Sequence, residues 1–128
     1  MILVDTSVLI AQLRTGDPQL LAHFKTHGAV ICGVTRAEVL YGVRTPADRA
    51  RFIAALNALP QVPILDGLWD QAGLNLATLR AAGLPVPLAD AVIATLAIDL
   101  DIELWARDQH YLLIQKAIPA LRLFSEPP

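Results

Sequence analysis

The chain predicts a three-layer α/β/α domain built on a central, mainly parallel sheet of about five strands. Three observations predict it. Each short aliphatic run that reads as a strand is separated from the next by a stretch of helical periodicity, which implies parallel pairing through crossovers. Leu88 to Leu100 is apolar almost all round, as befits a helix covered on every side. At 128 residues the chain has the length of a single domain, residues 1–128, able to bury roughly two thirds of its unfolded surface.

Ile2 to Asp5 reads as a short buried strand, and Thr6 or Ser7 suits the cap of a helix through Leu9, Ile10 and Leu13. Gly16-Asp17-Pro18 breaks it. Pro18 fits the first turn of the next helix, which runs through Leu20, Leu21 and Phe24 and stops at His27-Gly28. A second strand, Ala29 to Cys32, follows. Thr35 is a good N-cap for a third helix, and with Glu38 three positions on it matches a capping box. Thr45-Pro46 starts another helix, from about Ala47 to Leu59, so that the two form a hairpin. Val62-Pro63-Ile64-Leu65 is a third strand, pushed to an edge by its proline, and Asp66 caps a helix through Trp69, Leu76 and Leu79 that ends at Gly83-Leu84-Pro85. After the apolar helix, Glu103 to Arg107 reads as a fourth strand and Leu121 to Phe124 as a fifth. The Pro-Pro tail beyond Ser125-Glu126 is expected to fray.

Composition narrows the function classes. Hydrophobic residues make up 55% and charged residues 17%, against about 25% charged in an average soluble domain, which predicts apolar surface left over for a homodimer or a partner protein. The net charge of −2 excludes a protein that grips nucleic acid by bulk positive charge, so any such ligand is held locally. The lone Cys32 rules out an internal disulfide and a cysteine zinc cage, and reads as a small core residue. The first residues lack the cationic start of a secretory signal, and no charge-free apolar run reaches the ~18 residues of a membrane span, so a soluble cytoplasmic protein is expected. His23 and His27 read as a surface helix face, and Asp99, Asp101 and Glu103 as a solvated loop.

Four acids stand apart. Asp5 closes the first strand, Glu38 lies in the third helix, Asp90 sits in the apolar stretch Pro87-Leu88-Ala89-Asp90-Ala91-Val92-Ile93-Ala94, and Asp108 ends Glu103-Leu104-Trp105-Ala106-Arg107. Each has a local explanation: helix capping for Asp5, the capping box for Glu38, the helix dipole for Asp90, a turn for Asp108. Jointly they suggest more. Ionised carboxylates beside apolar runs cost several kcal/mol or more without a partner, and a hard divalent cation neutralises several at once. Asp5 and Asp108 also fall at the carboxyl ends of strands, where ligands of such sheets gather.

Ile2-Leu3-Val4-Asp5-Thr6-Ser7-Val8-Leu9-Ile10, Glu38-Val39-Leu40-Tyr41-Gly42, Leu88-Ala89-Asp90-Ala91-Val92-Ile93-Ala94 and Ala106-Arg107-Asp108-Gln109-His110-Tyr111, in this order and spacing, resemble the PIN-domain family, specifically the VapC-type toxins of bacterial type II toxin–antitoxin systems. The resemblance implies a ribonuclease using Mg2+ or Mn2+, with Asp5, Glu38, Asp90 and Asp108 as catalytic, metal-holding acids, Asp5 and Asp90 at its centre and Glu38 placed to orient the attacking water. Thr6 and Ser7 match the hydroxyl-bearing position beside the first acid, where Ser7 would hold Asp5 or a phosphate. Two departures stand out: Ala106 where the family often has threonine, and Gln109-His110-Tyr111 in place of the commoner acid-Phe pattern.

An acidic pocket repels an RNA backbone, so arginines must frame it, and Arg36, Arg44, Arg49, Arg51 and Arg107 are the candidates. The resemblance also implies a VapB-type antitoxin whose peptide lies in an apolar groove near Thr45-Pro46. Two alternatives compete with the ribonuclease reading. One is a PIN-like scaffold without activity that only sequesters a partner; the other is a receiver-like signalling domain using Asp5 and Asp66.

Overall fold

The computed structural model describes residues 1–127. Its sheet is parallel and three-stranded, in the order β2-β1-β3, with β1 (Ile2–Val4) in the centre, β2 (Ala29–Val30) on one side and β3 (Glu103–Trp105) on the other. Helices α1 (Thr6–Thr15) and α2 (Pro18–His27) link β1 to β2; α3 (Gly33–Tyr41), α4 (Pro46–Asn57), α5 (Asp66–Ala81) and α6 (Leu88–Leu100) link β2 to β3; α7 (His110–Ala117) follows.

The period-two alternation of strand side chains divides the core into two layers. Ile2, Val4, Ala29, Ile31 and Trp105 pack with α1, α2, Val39 of α3 and Leu56 of α4. Leu3, Val30 and Leu104 point the other way, onto Leu68, Ala72 and Leu79 of α5, the body of α6 and Ile114 of α7. The predicted three-layer arrangement is therefore present, and α6 is buried through Asp90 to Ala97 as its all-round apolarity requires.

The sheet is narrower than the expected five strands. Where a third and a fifth strand were expected, each edge carries a single bridge, Ile31 to Gln61 and Leu104 to Leu123. Around the first, Ile31 N donates to Pro60 O and Val62 N to Ile31 O; one step back the parallel ladder would need an N–H from Pro60, which has none, and one step on the chain has entered α3 at Gly33. On the other edge, Leu104 N donates to Arg122 O and Phe124 N to Leu104 O, and among the described residues no further pairing forms.

Several helix starts also differ from expectation. Of the caps the sequence offers for α1, Asp5 is used and Thr6 and Ser7 are not: Asp5 accepts from Ser7 N, and Gly16, at φ 64°, closes that helix. The capping box at Thr35 does not form: α3 begins two residues earlier at Gly33, and Thr35 is fully buried with its hydroxyl unpaired. Asp66 is the first residue of α5 instead of its cap, and it is exposed, outside the group formed by Asp90, Asp108 and His110. The α3–α4 hairpin is as expected, with Thr45 Oγ1 accepting from Asp48 N. Helix α7 was not anticipated.

His23 and His27 are half-buried instead of forming an open face: His23 lies edge-on to Trp105, and His27 packs against Phe124. Asp99, Asp101 and Glu103 are exposed as expected but do not form a loop, since Asp99 lies in α6, Asp101 caps that helix and Glu103 opens β3; Cys32 is buried. The tail expected to fray falls partly on Pro128, outside the described residues. Just ahead of it, Glu126 accepts from buried Trp105 Nε1 at 2.8 Å and from Arg107 Nε at 2.7 Å, so this stretch is strapped down. Among the described residues no helix is long and apolar enough to cross a membrane.

Candidate metal centre

The chain leaves β1 for helices on one face of the sheet and reaches β3 from helices on the other, so β1 and β3, beyond whose carboxyl ends ligands of such sheets gather, flank the topological switch point. Asp5 is the first residue after β1, and its N–H donates to Trp105 O of β3 at 2.9 Å, which fixes the two strand ends side by side. Asp108 lies three residues beyond β3. Asp90 is the third residue of α6, in the first turn, where the helix dipole favours negative charge.

These acids meet. One ligand atom each from Asp90, Asp108 and His110 lies within 4.8 Å of the others. His110 Nδ1 is 2.7 Å from Asp90 Oδ2 and 3.4 Å from Asp108 Oδ1, while its backbone N–H donates to Asp108 Oδ1 at 2.9 Å. Glu38 enters from α3, and Thr6 Oγ1 donates to its Oε1 at 2.7 Å, tying it to the residue next to Asp5. Asp5 and Asp90 are almost fully buried, at 4% and 8% exposure.

The electrostatics carry the mark of crowding. Burial pushes the Asp90 carboxyl above its ordinary value, the hydrogen bond to His110 works against that, and the charges of Asp108 and then Asp5 add to the rise. The Tyr111 phenol is held far above its usual range, by burial first and then by Asp5, Asp90 and Glu38, so it remains a hydrogen-bond donor. Two carboxylates and an imidazole with a buried acid held by like charges form a donor set that fits a hard or borderline divalent cation.

Asp5, Glu38, Asp90 and Asp108 thus come together, with Thr6 and Ser7 beside them. Ser7 Oγ donates to Asp5 Oδ2 at 2.6 Å and accepts from Arg107 N at 2.9 Å, which spends the hydroxyl on holding the strand ends. The arginines do not act as one group. Arg36 donates to Asn57, Arg51 to the Leu13 carbonyl, and Arg107 is clamped by Glu126. Arg44 and Arg49 are exposed and make no ion pair among the described residues. A groove of about 410 Å³ between α1, α3 and α4 has Ile10, Val39 and Phe52 on its walls and Arg14, Arg44 and Arg51 at its rim.

Sequence reasoning missed His110, Tyr111 and Arg14. The departure from the acid-Phe pattern was the available signal for the first two, but it says nothing of direction until α7 is known to begin at His110 and to turn both side chains back to the acids.

The comparisons agree with this fold. The PIN domain family matches residues 2–117. A chain of VapBC2 from Rickettsia felis, bound to a DNA fragment from its promoter, superposes with a TM-score of 0.84 at 18% identity, covering 99% of this chain and 100% of that one. A chain of VapBC-1 from nontypeable Haemophilus influenzae gives 0.77 at 19% identity and 97% of each chain, and one from a toxin–antitoxin complex of Klebsiella pneumoniae gives 0.68 at 23%, over 94% and 95%. No curated protein matches significantly. With the family matched over nearly the whole chain and its acids gathered at the open end of the sheet, the chain belongs to the PIN-domain family.

Proposed function

We propose that this chain, as one PIN domain, is a metal-dependent endoribonuclease toxin of the VapC type that hydrolyses RNA phosphodiester bonds and is restrained by a VapB-type antitoxin. The observation that carries the reading is the meeting of Asp90, Asp108 and His110 within 4.8 Å of one another, beside buried Asp5. Asp5, Asp90 and Asp108, with His110, would hold Mg2+ or Mn2+, and Glu38 would complete the acidic shell directly or through water. Charge that builds on the phosphoryl oxygens during hydrolysis would be met by that cation. Glu38 spends one oxygen on Thr6, and its other oxygen would accept a hydrogen bond from an attacking water and so orient it. Ser7 and Tyr111 fix Asp5, and no side chain need act as a covalent nucleophile.

Arg44 and Arg49 are the arginines best placed for the RNA backbone, since neither has an ion-pair partner among the described residues, whereas Arg36, Arg51 and Arg107 are engaged within the fold. The groove between α1, α3 and α4 suits the antitoxin peptide: it offers the apolar side chains of Ile10, Val39 and Phe52, it carries Arg14, Arg44 and Arg51 against the single acid Asp48, and its residue Val39 adjoins Glu38. Exposed Leu65 and Trp69, four apart at the start of α5, support a homodimer. The test is RNA cleavage with Mn2+ and with EDTA. Asp5→Asn and Asp90→Asn should each lower the rate at least ~100-fold while circular dichroism stays native; metal-dependent cleavage at the wild-type rate in both variants would overturn the assignment.

A further inference from the structure

Asp5 is held differently from its neighbours. Both of its oxygens are engaged by protein donors: Oδ2 accepts from Ser7 N at 3.0 Å and from Ser7 Oγ at 2.6 Å, and Oδ1 accepts from the Tyr111 hydroxyl at 2.6 Å. Among the described residues the Asp90 carboxylate has only His110 as a hydrogen-bond partner. Ser7 is a local partner, two residues along the chain. Tyr111 is 106 residues away, in the first turn of α7, with its ring 1% exposed and packed in the core layer that holds Ile114.

A carboxylate gripped on one oxygen alone can still swing about the bond that carries it; a second donor on the other oxygen stops that rotation and fixes the plane of the group. Tyr111 supplies the second donor. It comes from the same turn that brings His110 to Asp90 and Asp108, so one short stretch of α7 sets three acids relative to one another. A donor behind a metal-binding carboxylate fixes which lone pairs face the ion, and losing such a partner typically weakens metal affinity 10–100-fold.

We propose that Tyr111 is a positioning residue for the cation: its buried hydroxyl holds the Asp5 carboxylate in the orientation that serves the ion gathered by Asp90, Asp108 and His110. The inference rests on the metal-dependent reading above. It is tested by Tyr111→Phe, which removes one oxygen and keeps the buried ring. By calorimetric titration the variant should bind Mn2+ about 10–100-fold more weakly than wild type, with kcat for RNA reduced and KM little changed. A purely structural role would lower the melting temperature in EDTA and leave the Mn2+ affinity alone, and that pattern would overturn the inference.

A second measurement needs no substitution at the site. The chain has two tyrosines, Tyr41, which is 93% exposed, and Tyr111. With 3-fluorotyrosine incorporated, the 19F resonance of Tyr111 should move on saturation with Mg2+ while that of Tyr41 stays; an unmoved Tyr111 resonance refutes the proposal. Asp90→Asn separates the two readings. If wild type binds Mn2+, Asp90→Asn loses it and Tyr111→Phe does not, only this inference fails; if wild type binds none, the metal-dependent reading fails and takes this one with it.

Discussion

At Asp90 two demands conflict. Its place in the first turn of α6 suits a negative charge, but burial beside Asp108 and Asp5 makes that charge costly and raises its pKa. A carboxyl whose folded pKa lies above its unfolded value of 3.8 favours the fold at pH below that value, and the contribution is lost as pH rises through the folded pKa. The metal-free protein is therefore less stable at neutral pH than it would be without a titrating group at this position. Asp90→Asn should raise the melting temperature in EDTA at pH 7 by more than it does at pH 3; an equal shift at both would remove Asp90 as the source. Added Mn2+ should stabilise wild type and not the variant. Asp5, Asp90 and Asp108 were legible from sequence because strand ends and a helix start mark their places. Glu38 was legible as a residue but not in its local role, since it pairs with Thr6 instead of closing a capping box.

At the scale of elements, the tail that follows the edge bridge at Leu123 acts as a strap. Glu126 joins buried Trp105 to Arg107, and the hydrogen bond from Arg107 leads the causes that lower its pKa. A depressed carboxyl contributes stability that is present above its unfolded value of 4.5 and is lost as pH falls through the folded pKa. The ion pair is substantially exposed, so Glu126→Gln, which keeps an acceptor for Trp105, should cost less than ~1 kcal/mol. Glu126→Ala also strands the indole N–H and should cost ~1–3 kcal/mol more by denaturant unfolding. Equal losses in the two variants would show that Trp105 does not depend on the strap. None of this was visible in the sequence, where a Pro-Pro ending reads as a fraying tail. The strap depends on where β3 delivers Trp105 and Arg107.

For the whole molecule, the aliphatic excess has two outlets: a core divided into two layers by the sheet, and exposed apolar side chains such as Leu65, Trp69 and Leu74. If the second supports self-association, light scattering of the free chain should report a dimer, and Leu65→Ser with Trp69→Ser should shift it toward monomer. A wild-type monomer at micromolar concentration would remove the dimer proposal.

Sequence alone determined the layer order, because apolar runs separated by amphipathic stretches have few ways to bury both faces of a parallel sheet. It also marked the acids, because carboxylates among aliphatic residues are costly enough to be conspicuous. The tertiary structure decided the width of the sheet, since edge pairing depends on a few backbone donors, and Pro60 lacks the one that would extend the bridge at Ile31. It decided the roles of His110 and Tyr111 too: their partners lie 20 and 106 residues away, and no local periodicity encodes a contact over that distance.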